Sequence, residues 1–121
     1  MASARIARLA RAEFEAALPE VILRFGRFAA ITLIDTVLVG PSVEVAGARW
    51  DELLFHELVH VAQFQALGAE RFAREYLKGW VAGGRRYARI PLEVEAYALA
   101  RRFTAGERFA VARELRPVAG D

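Results

Sequence analysis

The sequence predicts an α+β domain in which a small sheet precedes a set of helices. Two observations lead to this prediction. The segment from Val21 to Val45 is rich in Val, Ile, Leu, Phe and Thr and is interrupted by Gly and Pro, a composition typical of short strands. From Asp51 onward the apolar residues recur at helical spacing instead. We therefore expect a small sheet at about residues 21–46, packed on one central helix with three or four further helices.

Length and composition bound the class of protein. A chain of 121 residues predicts one domain, residues 1–121. Hydrophobic residues make up 55% and charged residues 26%, which excludes wholesale disorder. The absence of cysteine excludes a disulfide scaffold, a thiol nucleophile and a cysteine metal site.

Charge and hydropathy limit the classes of partner and the compartment that the sequence predicts. The net charge is only +2, so nucleic acid is not a favoured partner unless the cations cluster. Arginines do cluster, at Arg5, Arg8 and Arg11 and at Arg85, Arg86 and Arg89, so a basic nucleic-acid or membrane-surface binder is a third, weaker hypothesis. The start of the chain lacks the apolar core of a secretory signal, and no stretch approaches the ~18 apolar residues of a membrane span. These observations predict a cytoplasmic protein.

The first half of the chain predicts one helix and two strands. Apolar residues at helical spacing from Ile6 to Leu18 predict an amphipathic helix that Pro19 ends. Strands are expected at about Arg27–Ile34 and Thr36–Val39, joined by a tight turn or a bulge. The segment 43–46 is consistent with either a further strand or a loop.

The second half predicts helices. The central helix is expected over Asp51–Leu67, with Asp51 as its N-cap and Gly68 as its C-cap. It is apolar on most sides, which is typical of a helix buried in the middle of a domain. Three further helices are expected, over Ala69–Trp80, Leu92–Thr104 and Glu107–Leu115.

The central helix carries the one sharp motif, His56-Glu57-Leu58-Val59-His60. Residues four apart on a helix share a face, so both imidazoles can reach one ion. Glu57 can lean toward an open coordination position and take a proton from a metal-activated water. The alternative is a pair of core histidines satisfied by hydrogen bonds. Metal binding is favoured because an apolar helix otherwise bears the cost of three buried polar groups.

A catalytic zinc site requires a third protein ligand, and here it must be a carboxylate. The downstream acids are Glu70, Glu75, Glu93, Glu95, Glu107, Glu114 and Asp121. Glu93 and Glu95 open a helix that can fold back against the first, and they point about 200° apart, so at most one faces the metal. Periodicity favours Glu93, because Glu95 shares a strip with Arg102 and is expected to pair with it on the surface. Both alternatives stay open on spacing alone.

His56–His60 together with the later Leu-Glu-Val-Glu-Ala at residues 92–96 resembles the gluzincin metallopeptidases. The sequence is most similar to a zincin-like family of small domains of uncertain function, which carry a strand segment like residues 30–37 and a glutamine three residues after the second histidine. That glutamine corresponds to Gln63. The resemblance covers roughly residues 28–102 and implies a zincin-like fold, in which the sheet packs on the helix that carries the motif.

The resemblance also implies roles for individual residues. It makes His56, His60 and Glu93 the ligands of one zinc ion per chain and Glu57 the general base. The family has an aspartate four residues after the ligand glutamate, and it usually supports a metal-binding histidine. Here that position is Tyr97.

Some roles near the motif stay open. Tyr97 either donates its hydroxyl to a developing oxyanion or is a packed aromatic residue. The same two alternative roles are open for Tyr87. Gln63 either lines the cleft or caps the solvent end of its helix face.

These observations predict a zinc-dependent metallopeptidase that acts on a peptide or protein substrate extended along an edge strand. A chain this short leaves little for a second cleft wall, so the site is expected to be shallow or completed by a protein partner. The second hypothesis is a zincin fold that binds metal, serves a partner and does not cut. Manganese, nickel and iron also suit an imidazole–carboxylate site.

Overall fold

The computed structural model describes residues 5–8, 30–33, 35–39, 44 and 46–117. These residues are mostly helical, with three short strands in one small sheet. This architecture is loosely consistent with the predicted α+β class. Among the described helices, none combines the length and the apolar character that crossing a membrane requires.

The sheet is built around its most buried strand. Strand β1 spans Arg5–Arg8, β2 spans Ala30–Leu33 and β3 spans Thr36–Val39, in the order β1-β3-β2. The central strand β3 pairs in parallel with β1 and antiparallel with β2. Its residues 37–39 are buried, as expected of a strand that is paired on both edges and covered by a helix.

The two strands predicted in the first half of the chain are found as β2 and β3 within the described residues, and positions 27–29 and 34 of the first prediction lie outside them. They form a hairpin in which Leu33 pairs with Thr36, so the connection is two residues long. Asp35 lies in this turn, and its carboxylate accepts a hydrogen bond of 3.0 Å from the Thr36 hydroxyl. A tight turn is therefore found rather than a bulge. In the segment 43–46, the described residues Glu44 and Ala46 lie in no strand.

The prediction of an N-terminal helix is wrong where the structure tests it. Residues 5–8 form β1, and the rest of the predicted helix up to Leu18 lies outside the described residues. The free edge of β3 offers backbone partners to an incoming chain, and these bonds outweigh a weak local helical pattern. Ile6, expected on a core face, is 52% exposed.

The central helix, α1, spans Ala48–Leu67 and begins one turn earlier than predicted. Its N-cap is Gly47, with φ of 88°, and Asp51 lies in the first turn, where a carboxylate is favoured by the helix dipole. The predicted end is confirmed. Gly68 adopts a φ of 84°, a conformation that glycine tolerates, and its N–H donates to the Phe64 carbonyl.

Three further helices follow in the described part of the chain. Helix α2 spans Ala69–Ala82, α3 spans Pro91–Thr104 with its proline in the first turn, and α4 spans Val111–Glu114. A short 3₁₀ turn over Tyr87–Arg89 precedes α3. Helix α4 is shorter than the predicted Glu107–Leu115.

Helix α1 lies at the centre of the described structure. On one side it packs on β3 through Val61, and on another it packs on α3 through Val59. A third apolar cluster, built on Phe72, Ile90 and Leu92, joins α2 to the start of α3. The chain that returns from α2 to α3 therefore brings the first turn of α3 against the middle of α1.

Candidate metal centre

The two histidines of the motif lie side by side on α1. Both His56 and His60 are buried, and their ring centroids are 4.9 Å apart. Their Nε2 atoms point toward the first turn of α3. The helical spacing that predicted a shared face is therefore confirmed.

Glu93 lies between the two imidazoles. Its Oε1 atom is 2.8 Å from Nε2 of His56 and 3.0 Å from Nε2 of His60. Glu93 is itself buried, because it occupies the first turn of α3 on the side that faces α1. The structure thus brings together all three residues that were expected to be metal ligands.

Glu95 points elsewhere. Its Oε1 accepts a hydrogen bond of 2.9 Å from Gln63, and its Oε2 accepts one of 2.7 Å from the backbone N–H of Arg116. The surface pair expected between Glu95 and Arg102 is therefore wrong. Arg102 bonds instead to Glu107 and Glu114, since the chain after α3 folds back along that strip.

Glu57, the predicted general base, is buried beside the histidines. Its Oε2 atom lies 3.8 Å from Nε2 of His56. Thr32 of strand β2 donates its hydroxyl toward two oxygens of Glu57, the side-chain Oε1 at 3.1 Å and the main-chain carbonyl at 3.0 Å. Sequence reasoning did not identify Thr32, because 25 residues separate it from Glu57.

The motif residues could hold a metal ion. Ligand atoms of His56, Glu57 and His60 all lie within 4.8 Å of one another. Atoms bound to zinc at about 2.0–2.1 Å in a tetrahedron lie about 3.3 Å apart. The separations of 2.8 and 3.0 Å between the imidazoles and Glu93 are only slightly shorter. The donor set and its spacing therefore fit a small divalent cation.

Gln63 holds His60 from the side opposite Glu93. Its Oε1 lies 2.7 Å from His60 Nδ1, and its Nε2 donates to the carbonyl of Leu92 at 3.0 Å. Gln63 is 2% exposed, so neither role expected of it, cleft lining or capping at a solvent end, is correct. A glutamine three residues after a histidine on an apolar helix was the signal for this contact.

Tyr76 was missed as a site residue. Tyr76 lies in the middle of α2, and its hydroxyl donates a hydrogen bond of 2.6 Å to Oε2 of Glu93. Tyr76 follows Phe72 by four residues, so the two share one face of α2. A tyrosine hydroxyl on a buried face needs a polar partner, and that requirement was the available signal.

Tyr97 and Tyr87 lie on the same side of the centre. The Tyr97 ring is 4.2 Å from the His56 ring and the residue is 43% exposed. Burial, followed by the charge of Glu93, raises the pKa of Tyr87 above its usual value, and the same two causes raise the pKa of Tyr97. Both hydroxyls are therefore neutral donors at physiological pH. A catalytic role for Tyr97 stays a prediction.

Burial and charge perturb the ionisable groups in opposite ways. Burial alone would lower the pKa of His60, but the adjacent Glu93 carboxylate outweighs it and raises that pKa to about 9. Burial opposes ionisation of Glu93 as well, yet His60 and the hydrogen bonds from both histidines hold its pKa well below the usual range. For Glu57 burial prevails over the attraction of the histidines, so its pKa is raised.

Comparison of the chain with family models, with curated proteins and with solved structures finds no match. The motif and its geometry are therefore the observations on which a function can be argued. Within the described residues, one buried side-chain atom of this centre has no hydrogen-bond partner, and it is Nδ1 of His56.

Proposed function

We propose that this chain is a zinc-dependent metallopeptidase of gluzincin type with a zincin-like fold. One observation carries the proposal: Oε1 of Glu93 lies 2.8 Å from Nε2 of His56 and 3.0 Å from Nε2 of His60. Two imidazoles and one carboxylate would supply the three protein ligands of a catalytic zinc site, whose fourth position takes water or substrate. A bound zinc ion would supply Lewis acidity toward water and a peptide carbonyl.

Glu57 is the residue proposed to move the proton. Its carboxylate lies next to His56 Nε2 without taking the position of Glu93. Burial raises the pKa of Glu57, so its carboxylate, when ionised, is a stronger base than an exposed one. Thr32 holds one carboxylate oxygen, so the other is free to receive a proton from water and pass it to the leaving amine.

Strand β2 is the proposed edge for the substrate backbone. It pairs on one side with β3, and it carries Thr32 directly onto Glu57. An extended peptide that adds to the other side of β2 would run past the candidate centre, held by main-chain hydrogen bonds. The proposed role of Tyr97 is to donate its hydroxyl to the carbonyl oxygen, which its exposure and its contact with the His56 ring support.

The decisive experiment pairs metal content with turnover. We expect about one zinc per chain, and we expect hydrolysis of unfolded protein or of a peptide library by the zinc-loaded protein. Glu57→Gln should abolish hydrolysis and leave the zinc content unchanged. Glu52→Gln, on the exposed start of the same helix, is the matched control. Undiminished cleavage by the Glu57→Gln variant would exclude this mechanism.

A second candidate function is a metal-binding module that does not cut and acts through a protein partner. Two observations favour it. Tyr97 stands where the resembling family has an aspartate, and Nδ1 of His56 lacks a partner among the described residues, so this imidazole is less firmly oriented. One zinc per chain, with no hydrolysis of any peptide in a library, would select this alternative.

A further inference from the structure

A line of hydrogen bonds leaves the candidate metal centre on the His60 side. It runs from His60 Nδ1 to Gln63, from Gln63 to Glu95, and from Glu95 to the backbone N–H of Arg116. The three distances are 2.7, 2.9 and 2.7 Å. The line therefore joins α1, α3 and the segment after α4.

The orientation of the Gln63 amide follows from its partners. Its NH₂ group can only donate, and it donates both to Leu92 O and to Glu95 Oε1. Its oxygen must therefore be the atom that faces His60. Because a carbonyl oxygen only accepts, Nδ1 of His60 must carry a proton, so a metal can bind this ring only at Nε2, in place of the proton shared with Glu93.

The outer end of the line is braced by the segment that follows α4. Glu95 is half-buried and keeps its second oxygen on the Arg116 N–H. Leu115, the residue before, packs on the cluster of Val59, Ala96 and Leu99 between α1 and α3. The backbone at Arg116 is thus held in place by apolar contacts and can in turn hold Glu95.

We infer that Gln63 is a positioning residue that selects the metal-binding tautomer of His60, and that Glu95 and the Arg116 backbone hold Gln63 in place. The part that concerns affinity rests on the proposed metal site. The part that concerns the ring proton does not, since the contact is present without a metal. The two parts can therefore fail separately.

The first test replaces Gln63 by methionine, which keeps the length of the side chain and removes its acceptor and donors. We expect zinc affinity, measured in competition with a chromophoric chelator, to fall about 10- to 100-fold, as for other partners of metal-bound histidines. Gln65→Met makes the same change at an exposed position of α1 and should leave affinity within about twofold. Denaturant unfolding of each apoprotein checks that the fold is retained.

The second test reaches the far end of the line. Arg116→Pro removes both the side chain and the N–H that donates to Glu95, whereas Arg116→Ala removes the side chain and keeps that N–H. Leu115 has φ of −68° and ψ of 133°, the extended conformation that a residue before proline favours, so it can precede a proline without rearranging. We expect zinc affinity to fall about three- to fivefold in the proline variant, the size of one net hydrogen bond, and to stay unchanged in the alanine variant.

The third readout needs no metal. NMR of the metal-free protein should show a slowly exchanging ring proton on His60 Nδ1, which disappears in the Gln63→Met variant. An unchanged ring proton in that variant, or a zinc affinity equal to that of the Gln65→Met control, would overturn the inference. If the parent protein binds no zinc, the proposed function fails, and the ring proton still decides whether Gln63 positions His60.

Discussion

The two histidines of the centre differ in how firmly the protein holds them. His60 is bonded at both ring nitrogens, to Glu93 at Nε2 and to Gln63 at Nδ1. Among the described residues, His56 is bonded at Nε2 alone, and its ring contacts the half-exposed ring of Tyr97. His60 is therefore the more firmly held of the two imidazoles, and under the proposed function it fixes the ion while the His56 side faces a substrate or a partner.

The comparison teaches that a shared motif does not imply equal surroundings. Both imidazoles come from one helix, yet among the described residues only His60 is joined, through Gln63 and Glu95, to the segment after α4. Polar groups buried at such an interface must find partners, and here they order one another. The substitutions below act on one side or the other, and we describe them from the largest expected effect to the smallest.

The largest effect is expected at the carboxylate that both histidines share. Glu93→Gln should weaken zinc binding more than about a hundredfold, beyond what loss of an outer hydrogen-bond partner causes. Glu95→Gln, two residues along the same helix, should weaken it less than about tenfold. Competition titration measures both. Equal losses in the two variants would mean that Glu93 is not a ligand.

The next largest effect is a dependence of the free energy of unfolding on pH, caused by His60. In the metal-free protein the pKa of His60 rises from its ordinary value of 6.5 to about 9. The folded state therefore binds this proton more tightly than the unfolded state, so its stabilisation is complete below pH 6.5 and is lost as the pH rises through about 9. We expect the free energy of unfolding to fall by roughly 3 kcal/mol across this window.

Urea unfolding of chelator-treated protein measures this loss. The His60→Gln variant, which keeps a polar group beside Glu93 and has nothing to titrate there, should show a flat profile over the same window. Zinc affinity should change in the other direction, rising with pH, because the metal competes with the proton for Nε2. A parent profile as flat as that of the variant would contradict the assignment.

Two tyrosine variants test the difference between the His60 side and the His56 side of the candidate metal centre. Tyr76→Phe removes the hydroxyl that bonds Glu93 Oε2 at 2.6 Å and should weaken zinc binding about tenfold. Tyr97→Phe removes a hydroxyl on the open side and should leave zinc affinity within about threefold. A loss of turnover in the Tyr97 variant at constant zinc content would support a role for its hydroxyl in the reaction. Equal zinc affinities in the two variants would remove the contrast.

The smallest effect is expected at Thr32, which contacts Glu57 and neither histidine. Thr32→Val keeps the shape of the side chain and should cost about 1 kcal/mol of stability, the size of one buried hydrogen bond. Zinc affinity should not change. Thr36→Val, in the neighbouring strand, removes a hydrogen bond to Asp35 instead and is the matched control for stability. A fall in zinc affinity only in the Thr32 variant would show that Glu57 is coupled to the ligands.

Local sequence determined the parts of this protein that depend on neighbours along the chain. The helical period brings His56 and His60 to one face, Gly68 ends α1, and Pro91 begins α3. The β2–β3 hairpin follows from two β-rich runs separated by a short turn. In each case a residue acts on others within a few positions, and spacing alone describes that action.

Packing between distant segments decided the rest. Spacing favoured Glu93 over Glu95, but which of them meets the imidazoles depends on how α3 is rotated against α1. Tyr76 and Thr32 reach the centre from two other elements, and β1 forms because the edge of β3 is available to pair with it. The side-chain bonds among these contacts join residues 17 to 37 positions apart, from Tyr76 with Glu93 to His56 with Glu93. Their geometry is set by the burial of whole helix faces, which no local pattern encodes.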